Sequence, residues 1–250
     1  MKRILSFVLC FGFLFGLASC DEDALSSSIE KTIAVVYGSP AETAGDAYIA
    51  AGYTKVTYNS TSDVVIAIEN KKADVGIVNE LELGSFLKTG RNIKEKEKCD
   101  YGIDYYAYFS SDNKPLQQSF NEAIKELYNN DTMEKIIAAH SSGVSYASDE
   151  ADNVNGSLTM LCDPHYKNRV CINSKEEIVG LDVDIAREIC NYLGYDLNIV
   201  SVDFDEMFLK LDDGEGDFVI SACEANPERE AYCLMSDPYF TLDFYLIERK

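Results

Sequence analysis

Residues 69–78, ENKKADVGIV, and residues 212–221, DDGEGDFVIS, carry the same phrase: a helix end, a polar turn, an aspartate and a short apolar strand. A chain that writes this phrase twice is building one strand–helix unit twice, and strands and helices alternate around both copies. The first half reads as strand KTIAVVYG, helix SPAETAGDAYIAAG, strand TKVTYN, a helix from Asp63 to Asn70, strand DVGIV, and a further helix beginning near Glu80. Ser39 stands as N-cap of the first helix, with Pro40 at its first position and Glu42 completing a capping box. The second half reads as strand SLTMLCD, helix DVDIAREICNYLG, strand LNIVSV, helix DEMFLKL and strand DFVISA. Ala186, Ile189, Cys190 and Leu193 share one face of its long helix, and Gly194 stops it. The pattern predicts an α/β fold of two related lobes, each a mostly parallel sheet flanked by helices.

Between the halves, YYAYFSSDN is extended. PLQQSFNEAIKELYNNDTMEKIIAAH is helical, with Phe120, Ile124 and Leu127 in register and a break at Asn129–Asp131. Residues 141–157, SSGVSYASDEADNVNGS, are small, polar and acidic, a linker composition.

The N-terminus carries an export signal: Lys2 and Arg3, then the apolar run ILSFVLCFGFLFGLA. Leu17-Ala18-Ser19-Cys20 resembles the bacterial lipobox, which implies removal of residues 1–19 and lipidation of Cys20; the alternative is an uncleaved signal anchor. No second run is long enough to span a bilayer. The formal net charge is −21, and loss of Lys2 and Arg3 makes it more negative, which excludes nucleic acid as a partner. Cys99, Cys162, Cys171, Cys190, Cys223 and Cys233 follow no zinc spacing, and the chain has only 2 histidines, so neither a metal nor a cofactor is expected. An exported compartment permits disulfides, but six thiols allow about 15 pairings.

In the second half, GSLTMLCDPHY, IVGLDVDIAREICNYLGY, VDFDEMFLKLDDGEGDFVISA, NPERE and SDPYF follow one another in an order and spacing that resemble the type II periplasmic solute-binding proteins of amino-acid ABC transporters. In the first half, VVYGSPAETAGDAY, KKADVGIVNE and YYAYFSSDNKPLQQSFNEAIKEL resemble that family's second lobe and closing helices. The resemblance spans nearly all of residues 32–250 and implies a two-lobed periplasmic-binding-protein fold of type II. The family's first lobe, however, here comes last, which implies a circularly permuted form, the alternative being a truncated tandem. On this reading residues 20–31 are a lipidated tether and 32–103 the second-lobe equivalent. Residues 104–114 are the hinge crossover, 115–140 the closing helices on the first lobe, and 141–157 the permutation linker. Residues 158–243 are then the first-lobe equivalent and 244–250 a hinge strand. Lys250 is expected near residues 30–33, with only the stretch around Asp104–Ser110 joining the lobes. The tether, fully stretched, would reach about 35 Å.

The resemblance also nominates ligand-binding residues. Arg229 sits in ANPERE, where Asn226 caps a helix that Pro227 starts. A cation there opposes the helix dipole, and a forked guanidinium–carboxylate contact would explain it. Ser221 falls where the family places a strand-end hydroxyl. Phe204 and Tyr166 match positions that sandwich the ligand, although aromatic residues beside strands are more often core. Asp163 matches a cleft-edge acid that meets cationic side chains, or is a strand-end cap. Asp182 and Asp184 are explained by a helix start. In the other lobe, Ser39 begins a helix whose backbone N–H groups could take a carboxylate. The resemblance also implies two departures: Asn79 stands at the family's ammonium-binding acid, and Glu224 at a small hydroxyl near the ligand carboxylate, where an acid would repel that carboxylate unless it faces away or pairs with Arg229. Pro40 also replaces a hydroxyl.

The implied function is capture of a small polar solute, an amino acid or related amine or carboxylate, and its delivery to an ABC permease by a lipid-anchored monomer outside the cytoplasm. The alternatives are a cleft enzyme similar to cyclohexadienyl dehydratase with Glu224 as acid/base, and a receptor that senses without transport.

Overall fold

The computed structural model describes residues 31–148, 152, 154–166 and 168–250; the leader, Cys20 and nearly all of the tether lie outside the described residues. Strands β1 (Lys31–Val36), β2 (Tyr53–Tyr58) and β3 (Val75–Asn79) alternate with helices α1 (Pro40–Ile49), α2 (Thr61–Glu69) and α3 (Glu80–Lys88). β4 (Ile93–Tyr105), β5 (Tyr108–Ser110), α4 (Lys114–Asn129) and α5 (Thr132–Ser141) follow. The second half contains β6 (Ser157–Cys162) and three short strands, β7 (His165–Tyr166), β8 (Val170–Ile172) and β9 (Ile178–Val179). α6 (Leu181–Leu193), β10 (Asp196–Ser201), α7 (Phe204–Asp212) and β11 (Phe218–Val219) come next. The chain closes with α8 (Pro227–Glu230), β12 (Cys233–Met235) and β13 (Phe240–Arg249).

These elements make two five-stranded sheets on one plan, β2-β1-β3-β13-β4 and β10-β6-β11-β5-β12. In each, three strands joined by helical crossovers run parallel. The remaining pairings are antiparallel, so the sheets are less parallel than the sequence suggests. The cause is connectivity: β5 and β13 each enter from the opposite sheet, without the helical return that a parallel neighbour requires.

The lobes are joined twice. The chain leaves the first sheet after Tyr105 and enters the second at Tyr108; it returns between Met235 and Phe240. A single covalent connection around 104–110 is therefore incorrect, and the last strand begins at Phe240, ahead of the 244–250 read from sequence. β13 runs through the first sheet between β3 and β4, where its alternate side chains Phe244 and Leu246 are buried. The two crossings are bonded to each other: Tyr239 N donates to Tyr105 O at 2.9 Å and Ala107 N to Ser236 Oγ at 3.0 Å. At the far end of β13, Glu248 is in register with Val75, whose other neighbour is Ile33 on β1.

The break between α4 and α5 falls at Asp131, which takes a left-handed φ of 60°. Phe120 of α4 packs edge-on against Phe109 of β5 and lies 4.7 Å from Phe218 of β11, sealing the second sheet. α5 reaches both lobes. Ser141 lies so close to Gly84 of α3 that any Cβ there would sit 2.7 Å away, and His140 Nε2 meets Asp184 Oδ2 of α6 at 2.8 Å. No helix among the described residues is long and apolar enough to cross a membrane.

Candidate functional site

The carboxyl ends of the parallel strands in both sheets carry the nominated residues, the edge at which open α/β sheets bind ligands. In the second lobe, Asn226 Oδ1 accepts from Glu228 N at 2.9 Å and Arg229 N at 3.2 Å, fixing the short helix that presents Arg229. The guanidinium lies 5.1 Å from the Phe204 ring centroid and 4.5 Å from that of Phe208. It makes no salt bridge among the described residues. A cavity of about 440 Å³ opens beside it, walled by Phe204, Phe208, Leu209 and Tyr232, with Asp205 and Asp212 at its border. Apolar faces, one cation and two carboxylates thus share one concavity.

Burial pushes the Tyr108 hydroxyl up to about 12, against the pull of nearby Arg229, and this hydroxyl donates to Glu224 O at 2.7 Å. The Glu224 side chain is exposed. Ser221 is buried; its Oγ accepts from Asp163 N at 3.0 Å, so it joins two strand ends. The Asp163 carboxylate is in turn held by His165, through the ring and through a backbone N–H at 3.2 Å. Tyr166 is 57% exposed on the small β7–β8 hairpin, so it forms no closed wall in this structure.

The first lobe departs from expectation at Ser39. Ser39 is the N-cap residue and Pro40 follows, but the hydroxyl donates back to Val36 O at 2.8 Å and caps nothing. Ser39 N is already taken by Val36 O, so Glu42 reaches past it and accepts from Gly38 N at 2.7 Å. The N–H groups of Gly38 and Ser39 are thereby occupied. The capping box forms instead at Asn79, whose Oδ1 accepts from Glu82 N at 2.9 Å while its Nδ2 donates to Glu82 Oε2 at 2.8 Å.

Two acids beside Asn79 escaped the sequence reading because a helix start accounts for them. Glu80 accepts from Asp243 N at 3.1 Å and Glu82 from Thr61 Oγ1 at 2.7 Å. Burial raises the pKa of both above the ordinary carboxylate range. The folded protein therefore keeps these protons after the unfolded chain has lost them, and the contribution of these two acids to stability falls as pH rises above about 4. Glu80→Gln is expected to flatten that decline in urea titrations across this range. An unchanged slope would show that Glu80 pays no burial cost.

Arg169, also missed, lies at the crossings. Its Nε donates to Asp182 Oδ1 at 2.7 Å and its Nη2 to Tyr239 OH at 3.0 Å. Its guanidinium covers the rings of Tyr105 at 4.0 Å and Phe240 at 4.9 Å. Burial opposes its charge, but Asp182 and the two tyrosines outweigh that and hold it protonated. Burial pushes the Tyr105 hydroxyl up to about 12, against the pull of Arg169. Gly180 makes this possible: at φ 137°, any Cβ would sit 2.1 Å from Arg169 O.

A two-lobed α/β architecture with candidate ligand groups at the strand ends of both sheets defines the class as a solute-binding fold. Residues 158–250 match the family model of bacterial extracellular solute-binding proteins, family 3. It is 33% identical over 76 residues to a membrane-bound lytic murein transglycosylase F of Desulfosudis oleivorans, covering 30% of this chain and 17% of that one. It is 29% identical over 75 residues to the arginine-binding extracellular protein ArtP of Bacillus subtilis, covering 30% and 29%. The arginine-bound form of domain 1 from TmArgBP is 30% identical, with 38% of this chain and 81% of that one covered at a TM-score of 0.34. The chain spans less than half the length of the curated relatives it matches.

Proposed function

We propose that this protein is a lipid-anchored receptor outside the cytoplasm that captures an amino acid with a cationic side chain and delivers it to an ABC permease. One observation carries the reading: in a chain of net charge −21, Arg229 stands without an ion pair among the described residues, on two aromatic faces, in a cavity bordered by Asp205 and Asp212. Such a cation suits a carboxylate bound through a planar fork, while the aspartates suit a second positive charge at the other end of the same molecule. The relatives named for arginine binding support this class of solute. The leader and Cys20 support export and lipid attachment. Closure over the solute would be a hinge motion about the two crossings.

The segment order supports a circular permutation, with 32–103 as second lobe, 158–243 as first lobe, and the last strand inserted between β3 and β4. The exposed Glu224 gives no support to a dry catalytic carboxyl, so the receptor is preferred to an enzyme although one relative is a transglycosylase. Calorimetric titration of the purified protein with L-arginine is expected to give saturable heat, and native mass spectrometry a retained amino acid. Absence of heat with every amino acid tested would remove this reading.

A further inference from the structure

Arg169 is the one fully buried basic side chain among the described residues, and nothing in solute capture as set out above uses it. The two oxygens of its partner Asp182, itself fully buried, are divided. Oδ1 receives both Nε and Nη2 of Arg169 at 2.7 Å, and Oδ2 accepts from Ala222 N at 2.7 Å. Ala222 is held at φ 49°, a left-handed conformation that a residue with a Cβ adopts only when its surroundings enforce it.

That turn is the hub of the nominated loop. Ser221, just before it, bonds Asp163. Cys223 O, just after it, accepts from Tyr106 N at 2.8 Å in the first crossing. Glu224 O accepts from Tyr108, which borders Arg229. On its other side the guanidinium covers Tyr105 and Phe240, which stack 6.2 Å apart where the two crossings meet. A planar guanidinium can fork to a carboxylate and cover rings at once; an ammonium cannot. Stability alone does not ask for a buried ion pair here, since apolar residues of similar volume commonly serve as well.

We propose that the Arg169–Asp182 pair is a positioning device for solute capture, fixing the Ala222 turn beside Arg229 against both hinge crossings. The inference rests on the receptor reading, with Arg229 as the carboxylate-binding cation. Asp182 grips the turn, and Arg169 aims Asp182 while referring the turn to the hinge.

The test compares Arg169→Met, Arg169→Met/Asp182→Asn and Arg169→Met/Asp182→Leu. Each is measured for hydrogen exchange at the Ala222 amide without solute, and for L-arginine affinity by calorimetry. Arg169→Met is expected to speed Ala222 exchange and weaken binding about tenfold or more, the scale of losing one charge-assisted hydrogen bond. The Asn double variant is expected to recover to within about threefold of the parent chain, because its amide oxygen still accepts from Ala222 without a buried unpaired charge. The Leu double variant is expected not to recover. Equal behaviour of the two double variants would overturn the proposal, since a merely structural role would treat them alike. If Arg169→Met does not fold, that pair still decides. If the parent chain fails to bind L-arginine, the receptor reading fails for that solute, while the exchange comparison still tests the device.

Discussion

Arg229→Ala is expected to bind L-arginine about a hundredfold or more weakly than the parent chain, because a charged hydrogen-bonding partner removed from a desolvated carboxylate costs about 3 kcal/mol. The fold should barely register the change. Arg229 is half-buried, lacks an ion pair among the described residues, and contributes to its own lobe chiefly by covering Phe204 and Phe208, a contact of about 1 kcal/mol. Thermal unfolding would therefore move little while calorimetric affinity collapses. Arg229→Lys should recover only part of the loss, because an ammonium keeps the charge but not the planar fork. Unchanged affinity in Arg229→Ala would withdraw the carboxylate assignment.

Asp182→Ala is expected to destabilise the protein by about 3–5 kcal/mol in urea titrations, the range for removing one partner of a buried ion pair. The loss is large because this one carboxylate accepts from Arg169 Nε and Ala222 N and also holds the ion-pair contact of Arg169 Nη2. Removal strands a guanidinium whose Nη1 already lacks a hydrogen-bond partner among the described residues, and it releases the left-handed turn at Ala222. A loss below about 1 kcal/mol would place Asp182 among ordinary helix-start acids, as the sequence alone suggests.

Much of this was readable from the chain. α6 lies where its apolar face and Gly194 placed it, and β6, β10 and α7 fall close to their expected bounds, whereas the strand expected over DFVISA is only Phe218–Val219. The helical break at Asn129–Asp131 corresponds to the boundary between α4 and α5. β4 was not readable, because it runs Lys94 to Lys98 along a sheet edge with those side chains exposed, and charge on an edge strand hides the alternation that marks a strand. The β7–β9 strands are too short to show a period. Ser39 carries a complete capping signature, yet its hydroxyl turns back to Val36 O, since the strand end offers an acceptor that the motif does not record.

The sequence by itself determined the repeated strand–helix grammar, the acidity and the identity of Arg229 as a candidate, because each depends on local pattern or on composition. Only the tertiary structure decided that the lobes are joined twice, that β13 lies between β3 and β4, and that Arg169 sits at that junction. Those facts depend on pairings between residues such as Arg169, Tyr239 and Ala222, which are far apart in the chain. A buried guanidinium is sustained by the carboxylate and rings that meet it in space, and nothing in its neighbours along the chain announces them.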